Sequence, residues 1–165
     1  MPSHAAPTRL VAGSTEVPCP RHHGGAAMLQ AAIELPAEVM RAGPAGQVAG
    51  ICVCTARWVD REGVVRQTVA RVQGWQGTPL AASFAQVLQL PACAPNDAHP
   101  AALGELRFGA GQATDDFVLI TLGTGFGGAV VRGGQLAPGA TGMAGAIGHL
   151  TPFLGRKECH CGARG

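Results

Sequence analysis

The sequence predicts an α/β fold, and three observations carry that reading. Short apolar runs of strand length alternate with segments whose apolar residues recur at helical spacing. Glycine supplies 25 of the 165 residues, many of them in the turns between those segments. Hydrophobic residues make up 47% of the chain against 13% charged, enough to build a core at this length. The resulting order of strand, helix, strand, helix and hairpin belongs to the layered α/β architectures.

Residues 1–20 carry little regular pattern; Arg9 to Val17 reads as one edge strand, closed off by Pro18-Cys19-Pro20. From Gly25 to Ala42 the spacing of Met28, Leu29, Ala32, Ile33, Val39 and Met40 is helical. Pro36 lacks the N–H the helix needs and is expected to kink or split it. Val48 to Thr55 reads as a buried strand, with Cys52 and Cys54 on the same face as small core residues rather than a redox pair. Asp60 to Gly63 forms a turn, Val64 to Val72 a second strand-like segment, and Gly74 to Gly77 a loop. Thr78 as N-cap and Pro79 at the first helical position open the best-marked helix. Its buried face is Leu80, Phe84 and Val87-Leu88, and Leu90-Pro91 ends it. A further helix runs from Asn96-Asp97 to about Phe108, and Gly109 to Asp115 reads as a hinge.

The most informative stretch follows. An apolar strand from Phe117 to Leu122 enters Gly123-Thr124-Gly125-Phe126-Gly127-Gly128, and a second strand, Ala129 to Arg132, leaves it. Glycines at this density let the backbone turn tightly and aim N–H groups into one concavity, a means of holding phosphate oxygens. A dinucleotide fingerprint needs a helix after its glycines, whereas Ala-Val-Val-Arg-Gly-Gly-Gln is a strand and a turn. The loop is therefore the tip of a β-hairpin. A plain glycine-rich hairpin with no ligand stays open on these residues alone.

Composition narrows the function classes. The formal charge of +2 comes from scattered arginines and one lysine, so no basic stripe points to nucleic acid. No run approaches the roughly 18 apolar residues of a membrane span. The opening MPSHAAPTRLVAG lacks the apolar core of a signal peptide, which makes a cytoplasmic location the default. Six irregularly spread cysteines fit a reducing compartment better than a disulfide framework. Tyrosine is absent and aromatics total 4%, against a base-stacking platform.

Four motifs in order carry a family likeness: Pro95-Asn96-Asp97-Ala98-His99-Pro100-Ala101-Ala102-Leu103-Gly104-Glu105, Leu122 to Gly128, Gly145-Ala146-Ile147-Gly148-His149, and Cys159-His160-Cys161-Gly162. With weaker similarity reaching back through Gly74-Trp75 to about residue 9, the sequence resembles the ROK family of sugar kinases and sugar-responsive repressors. The resemblance implies an actin-like, ribonuclease-H-like fold with two lobes and a sugar–ATP cleft between them. It divides this chain into a partial N-terminal lobe, 1–112, and the start of a C-terminal lobe, 113–165, incomplete at both ends.

By that resemblance Asp97 takes the catalytic-base position, where a carboxylate accepts the proton of an attacking sugar hydroxyl. Without the family, an Asp at a helix start reads as a cap. Asn96 and His149 would bind the sugar, and Gly123, Thr124, Gly125, Gly127 and Gly128 would hold the phosphates of ATP, which brings Mg with it. His149, Cys159 and Cys161 match a structural zinc motif, whose fourth cysteine would follow Gly165; zinc in such sites takes four tetrahedral ligands. The implied activity is glucokinase-like phosphorylation of a hexose by ATP. The implied partners are a hexose and a second copy in a homodimer, with no nucleic acid and no membrane. The alternative is a non-catalytic sugar-binding or regulatory ROK module without a DNA-binding domain.

The departures are specific. No Asp-x-Gly-Gly-Thr hairpin precedes Arg9; Ala146 stands where a sugar-binding glutamate precedes Ile-Gly-His; and Arg71 replaces an asparagine upstream of Gly-Trp. Thr55-Ala56-Arg57-Trp58 replaces a Gly/Pro-rich segment, and His99 stands where asparagine is frequent. A lost carboxylate removes charged hydrogen bonds of about 1.5–3 kcal/mol each, so catalysis by this chain alone is expected to be impaired or absent.

Overall fold

A computed structural model gives the fold and describes residues 16–42, 48–67, 72–123, 125–150 and 158–159. Most of the expected Arg9–Val17 strand, Arg71, Thr124 and Cys161 lie outside those residues. Strand β1 (Ile51–Cys52) pairs in parallel with β2 (Ala92–Cys93). Parallel neighbours require a crossover, and it contains helix α2 (Leu80–Leu88). Extended pairing continues beyond both strands. The Val53 N–H donates to the Cys93 carbonyl at 2.9 Å, and Thr55 bridges Asn96. After α3 (Ala98–Phe108), strands β3 (Phe117–Leu122), β4 (Phe126–Arg132) and β5 (Gln135–Leu136) form an antiparallel meander.

Two apolar clusters hold these elements. One joins Val59, Val65, Trp75, Leu80, Phe84 and Ala94, with Met28, Leu29, Ala32 and Ile33 of α1 (Gly25–Ala42) packed against it. Leu80 and Phe84, four apart on one face of α2, are fully buried and contribute about 2–3 kcal/mol each. The other joins Ala98 and Ala102 of α3 to Ala129 and Val131 of β4. These small side chains face each other, which lets the start of α3 lie close to the glycine-bearing strand.

Several expectations change on the structure. Helix α1 runs unbroken through Pro36, because its apolar face is held against the first cluster. Helix α2 begins at Leu80 rather than Pro79. The Thr78 carbonyl accepts from the Val65 N–H at 3.0 Å, and its hydroxyl donates to the Gly74 carbonyl at 3.3 Å, so Thr78 does not cap. Of the expected Val64–Val72 strand, Val64 and Val65 make only isolated bridges and residues 68–71 lie outside the described residues.

Cys52 and Cys54 are exposed, not core. The alternation of β1 gives the inner positions to Ile51 and Val53, leaving Cys52, Cys54 and Cys93 outward. The Cys52 and Cys54 sulfurs lie 4.0 Å apart. Partial desolvation pushes the Cys93 thiol up to about 11, and raises those of Cys52 and Cys54.

The hairpin also differs in one respect. Its second strand starts at Phe126, paired with Leu122, so Gly127 and Gly128 belong to the ladder and the turn itself is 123–125. Gly128 is required there by close approach. A Cβ on it would stand 2.6 Å from the Gly145 carbonyl oxygen and 2.8 Å from that of Leu119.

Candidate active site

The carboxyl ends of the parallel pair deliver Thr55-Ala56-Arg57 and Asn96-Asp97 side by side, the position where open α/β sheets bind ligands. The Asp97 N–H donates to the Thr55 carbonyl at 3.3 Å, fixing the second segment against the first. Across from them stand the 123–125 turn and the first residues of β4. From a third side the 139–149 segment closes in, tied back by the Trp58 indole N–H, which donates to the Thr141 carbonyl at 2.9 Å.

These segments enclose one cleft of about 780 Å³. Its lining includes Asn96, Asp97, Gly123, Gly125, Gly127, Gly128, His149 and Cys159, so every described residue singled out in the sequence borders it. Arg57, Trp58, Gln67, His99, Thr121 and Met143 border it too. A cavity of this size accommodates a ligand of several hundred cubic ångströms.

Asp97 opens α3 without capping it. Its carboxylate is exposed and makes no hydrogen bond to the helix start. Asn96 does that instead: its Oδ1 accepts from the Ala98 N–H at 2.9 Å, while its Nδ2 donates to the Arg57 carbonyl at 2.5 Å. One N–H and one lone pair of that amide remain for a ligand. At Gly123 and Gly125 a Cβ would meet nothing within 4 Å, so the turn leaves open space on the cleft side. The Gly123 N–H donates to the Gly125 carbonyl at 3.0 Å and is already engaged.

His149 Nδ1 and Cys159 Sγ lie 3.9 Å apart. Two ligands of a tetrahedral zinc ion would lie about 3.6 Å apart, but among the described residues no group of three or more His, Cys, Asp or Glu is placed to hold a metal ion. Three further charged or titratable groups lie in or near the cleft. Arg57 is a non-glycine residue at φ 74°, and its buried Nη1 has no hydrogen-bond partner among the described residues. Left-handed backbone at such a residue costs about 1–2 kcal/mol. Asp60 forms an ion pair with Arg66 and accepts from the Glu62 and Val64 N–H groups. Desolvation opposes these contacts, but together they hold its carboxyl below the usual range.

His99 is the buried polar side chain of the cleft, 6% exposed. Burial lowers its pKa; a hydrogen bond to the Ala144 backbone and the Asp97 charge oppose the shift without reversing it. The native state therefore takes up this proton less readily than the unfolded chain, whose value is near 6.5. The corresponding stability is complete above about pH 6.5 and is lost as pH falls through the folded value. His99→Asn is expected to flatten the decline of Tm between about pH 7 and 5; an unaltered slope would contradict this.

The model of the ROK family matches residues 13–165, and the chain belongs to that family. Over 93 residues it is 45% identical to a glucokinase of Halalkalibacterium halodurans, covering 56% of this chain and 28% of that protein. The ROK family glucokinase of Streptomyces griseus, solved in complex with glucose and AMPPNP, matches with a TM-score of 0.71 and 33% identity over 86% of this chain and 44% of its own. The ROK hexokinase of Thermus thermophilus matches with a TM-score of 0.74 and 35% identity, over 90% of this chain and 49% of its own. The fold is thus the actin-like, ribonuclease-H-like α/β fold of ROK sugar kinases, and the chain spans less than half the length of each of these relatives.

Proposed function

We propose that this chain forms the sugar–nucleotide cleft of a glucokinase-like enzyme that transfers the γ-phosphoryl group of ATP, brought with Mg, to a hexose hydroxyl. The observation that carries the reading is the single opening shared by the Asp97 carboxylate and the 123–125 turn. Asp97 accepts the hydroxyl proton as the sugar oxygen bonds to the γ-phosphorus, and the bond from that phosphorus to the bridging oxygen breaks to release ADP. Asn96 and His149 orient the sugar. Gly123, Thr124, Gly125, Gly127 and Gly128 would hold the ATP phosphates, where positioning and backbone dipoles do most of the catalytic work. In this reading residues 1–112 and 113–165 contribute one lobe each, the protein is cytoplasmic, and it pairs as a homodimer.

The test is hexose-dependent ADP release by the 165-residue chain. Turnover with glucose, mannose, fructose or N-acetylglucosamine supports the reading. Because catalysis by this chain alone is expected to be impaired, calorimetric binding is measured beside it, and failure of all four sugars and of AMPPNP to bind rejects the reading. A non-catalytic sugar-sensing module is less supported, since the relatives above are named for kinase activity and Asp97 keeps its carboxylate free of the helix cap.

Zinc, when bound, would tie His149 and Cys159 together with Cys161 and so fix His149 at the edge of the cleft. Stripping the metal with a chelator is expected to lower Tm by several degrees, because ligand binding to the native state is folding free energy. Elemental analysis of natively purified chain should find about one zinc per chain; a metal-free preparation with unchanged Tm overturns the assignment.

A further inference from the structure

Arg57 has no place in the mechanism above, yet it lines the same cleft, beside Asn96 and Asp97. Its carbonyl is pinned by Asn96 Nδ2, its backbone is left-handed, and its Nη1 is buried without a hydrogen-bond partner among the described residues. Among the described residues its guanidinium forms no ion pair. Strained, over-determined residues of this kind cluster at ligand clamps. Among the described residues the lining offers nothing to neutralise it: Asp97 is the one Asp or Glu there and makes no ion pair with Arg57, while Ala146 contributes only a methyl group.

A guanidinium held this way lacks an acceptor that the protein does not supply, and a carboxylate or phosphate matches its planar fork. Neutral hydroxyls would accept a hydrogen bond and leave the charge uncompensated. Arg57 stands on the segment leaving β1, its carbonyl tied to Asn96 and away from the glycine turn, which in the carbohydrate reading is the sugar side. Building on the carbohydrate reading of the cleft, we propose that the sugar half takes an anionic carbohydrate, a hexose bearing a carboxylate or a phosphate, and that Arg57 selects it.

The experiment is isothermal titration of the whole chain with glucose, glucuronate, glucose 6-phosphate, inorganic phosphate and AMPPNP at constant ionic strength. The chains compared are the natural one, Arg57→Gly and Arg57→Gln. Glycine accepts the left-handed backbone, so Arg57→Gly keeps the fold while removing the side chain. With AMPPNP saturating, so that the position of a product phosphate is filled, one of the two anionic sugars is expected to bind at least tenfold more tightly than glucose, glucuronate indicating a carboxylate ligand and glucose 6-phosphate a phosphate one. Both variants should erase that preference and leave glucose affinity within about threefold. Glucose binding as tightly as both anions, or a preference that survives both variants, overturns the inference and leaves the kinase reading intact. So does an effect of the variants on AMPPNP or inorganic phosphate alone. Failure of every carbohydrate to bind overturns the inference and the carbohydrate reading together.

Discussion

Gly145→Val is expected to destabilise the chain by roughly 2–5 kcal/mol. Gly145 sits at φ 89°, and a Cβ there would stand 2.6 Å from Ala129 Cα, with the Ala129 carbonyl carbon and nitrogen at 2.9 Å. Backbone atoms of a paired strand cannot swing aside as a side chain would. The clash therefore costs on the order of 1–3 kcal/mol, and the left-handed backbone about 1–2 more. The damage also has a direction. Gly145 holds the 143–149 segment down on β4, its carbonyl accepting from the Ile147 N–H at 2.6 Å, and that segment carries Ala146 and His149 to the cleft. Gly133→Val is the control: Gly133 is also left-handed, at φ 57°, but has nothing within 4 Å of its Cβ position. Thermal unfolding should show a fall of roughly 5–15 °C for Gly145→Val and only a few degrees for Gly133→Val. Equal losses would mean that backbone strain alone, and not the close approach to Ala129, fixes glycine at 145.

Much of this fold was legible from local pattern, because its marks are local. The apolar run Phe117–Leu122 is β3 to the residue, and the helix opening after Asn96-Asp97 ends at Phe108 as the spacing indicates. The positions of Asp97 ahead of a helix and of a glycine turn behind a strand were equally readable. What local pattern does not encode is partnership across the chain. Trp58 reaches Thr141 over 83 residues, and that bond brings the 139–149 segment to the cleft. Glycine density marked 123–128 as one loop, yet ladder pairing claimed Gly127 and Gly128, and the missing side chain of Gly128 makes room for the Gly145 carbonyl. Pro36 was read by its cost to an isolated helix, whereas packing on the first cluster decides its fate. Cys52 and Cys54 share a face, as period two requires; which face is buried depends on Ile51 and Val53 competing for the same core.

Asp97→Asn is expected to lower the rate of phosphoryl transfer by about 10²–10⁴, the range contributed by a positioned general base. The substitution is nearly isosteric and leaves the helix start untouched, since the cap bond to the Ala98 N–H comes from Asn96 and not from Asp97. Asn96→Ala provides the contrast. It removes both the cap and the bond to the Arg57 carbonyl, so stability should fall by about 1–2 kcal/mol along with any loss of sugar binding. Single-turnover transfer from ATP to the accepted carbohydrate, measured beside calorimetric binding of that carbohydrate, separates the two roles. Asp97→Asn should bind within a few-fold of the natural chain at unchanged Tm and transfer almost nothing. A rate within threefold of the natural chain would show that the attacking hydroxyl gives its proton elsewhere. The cleft would then hold its substrates without Asp97 serving as base, and His149 and the buried His99 would be the remaining titratable nitrogens on its lining to examine.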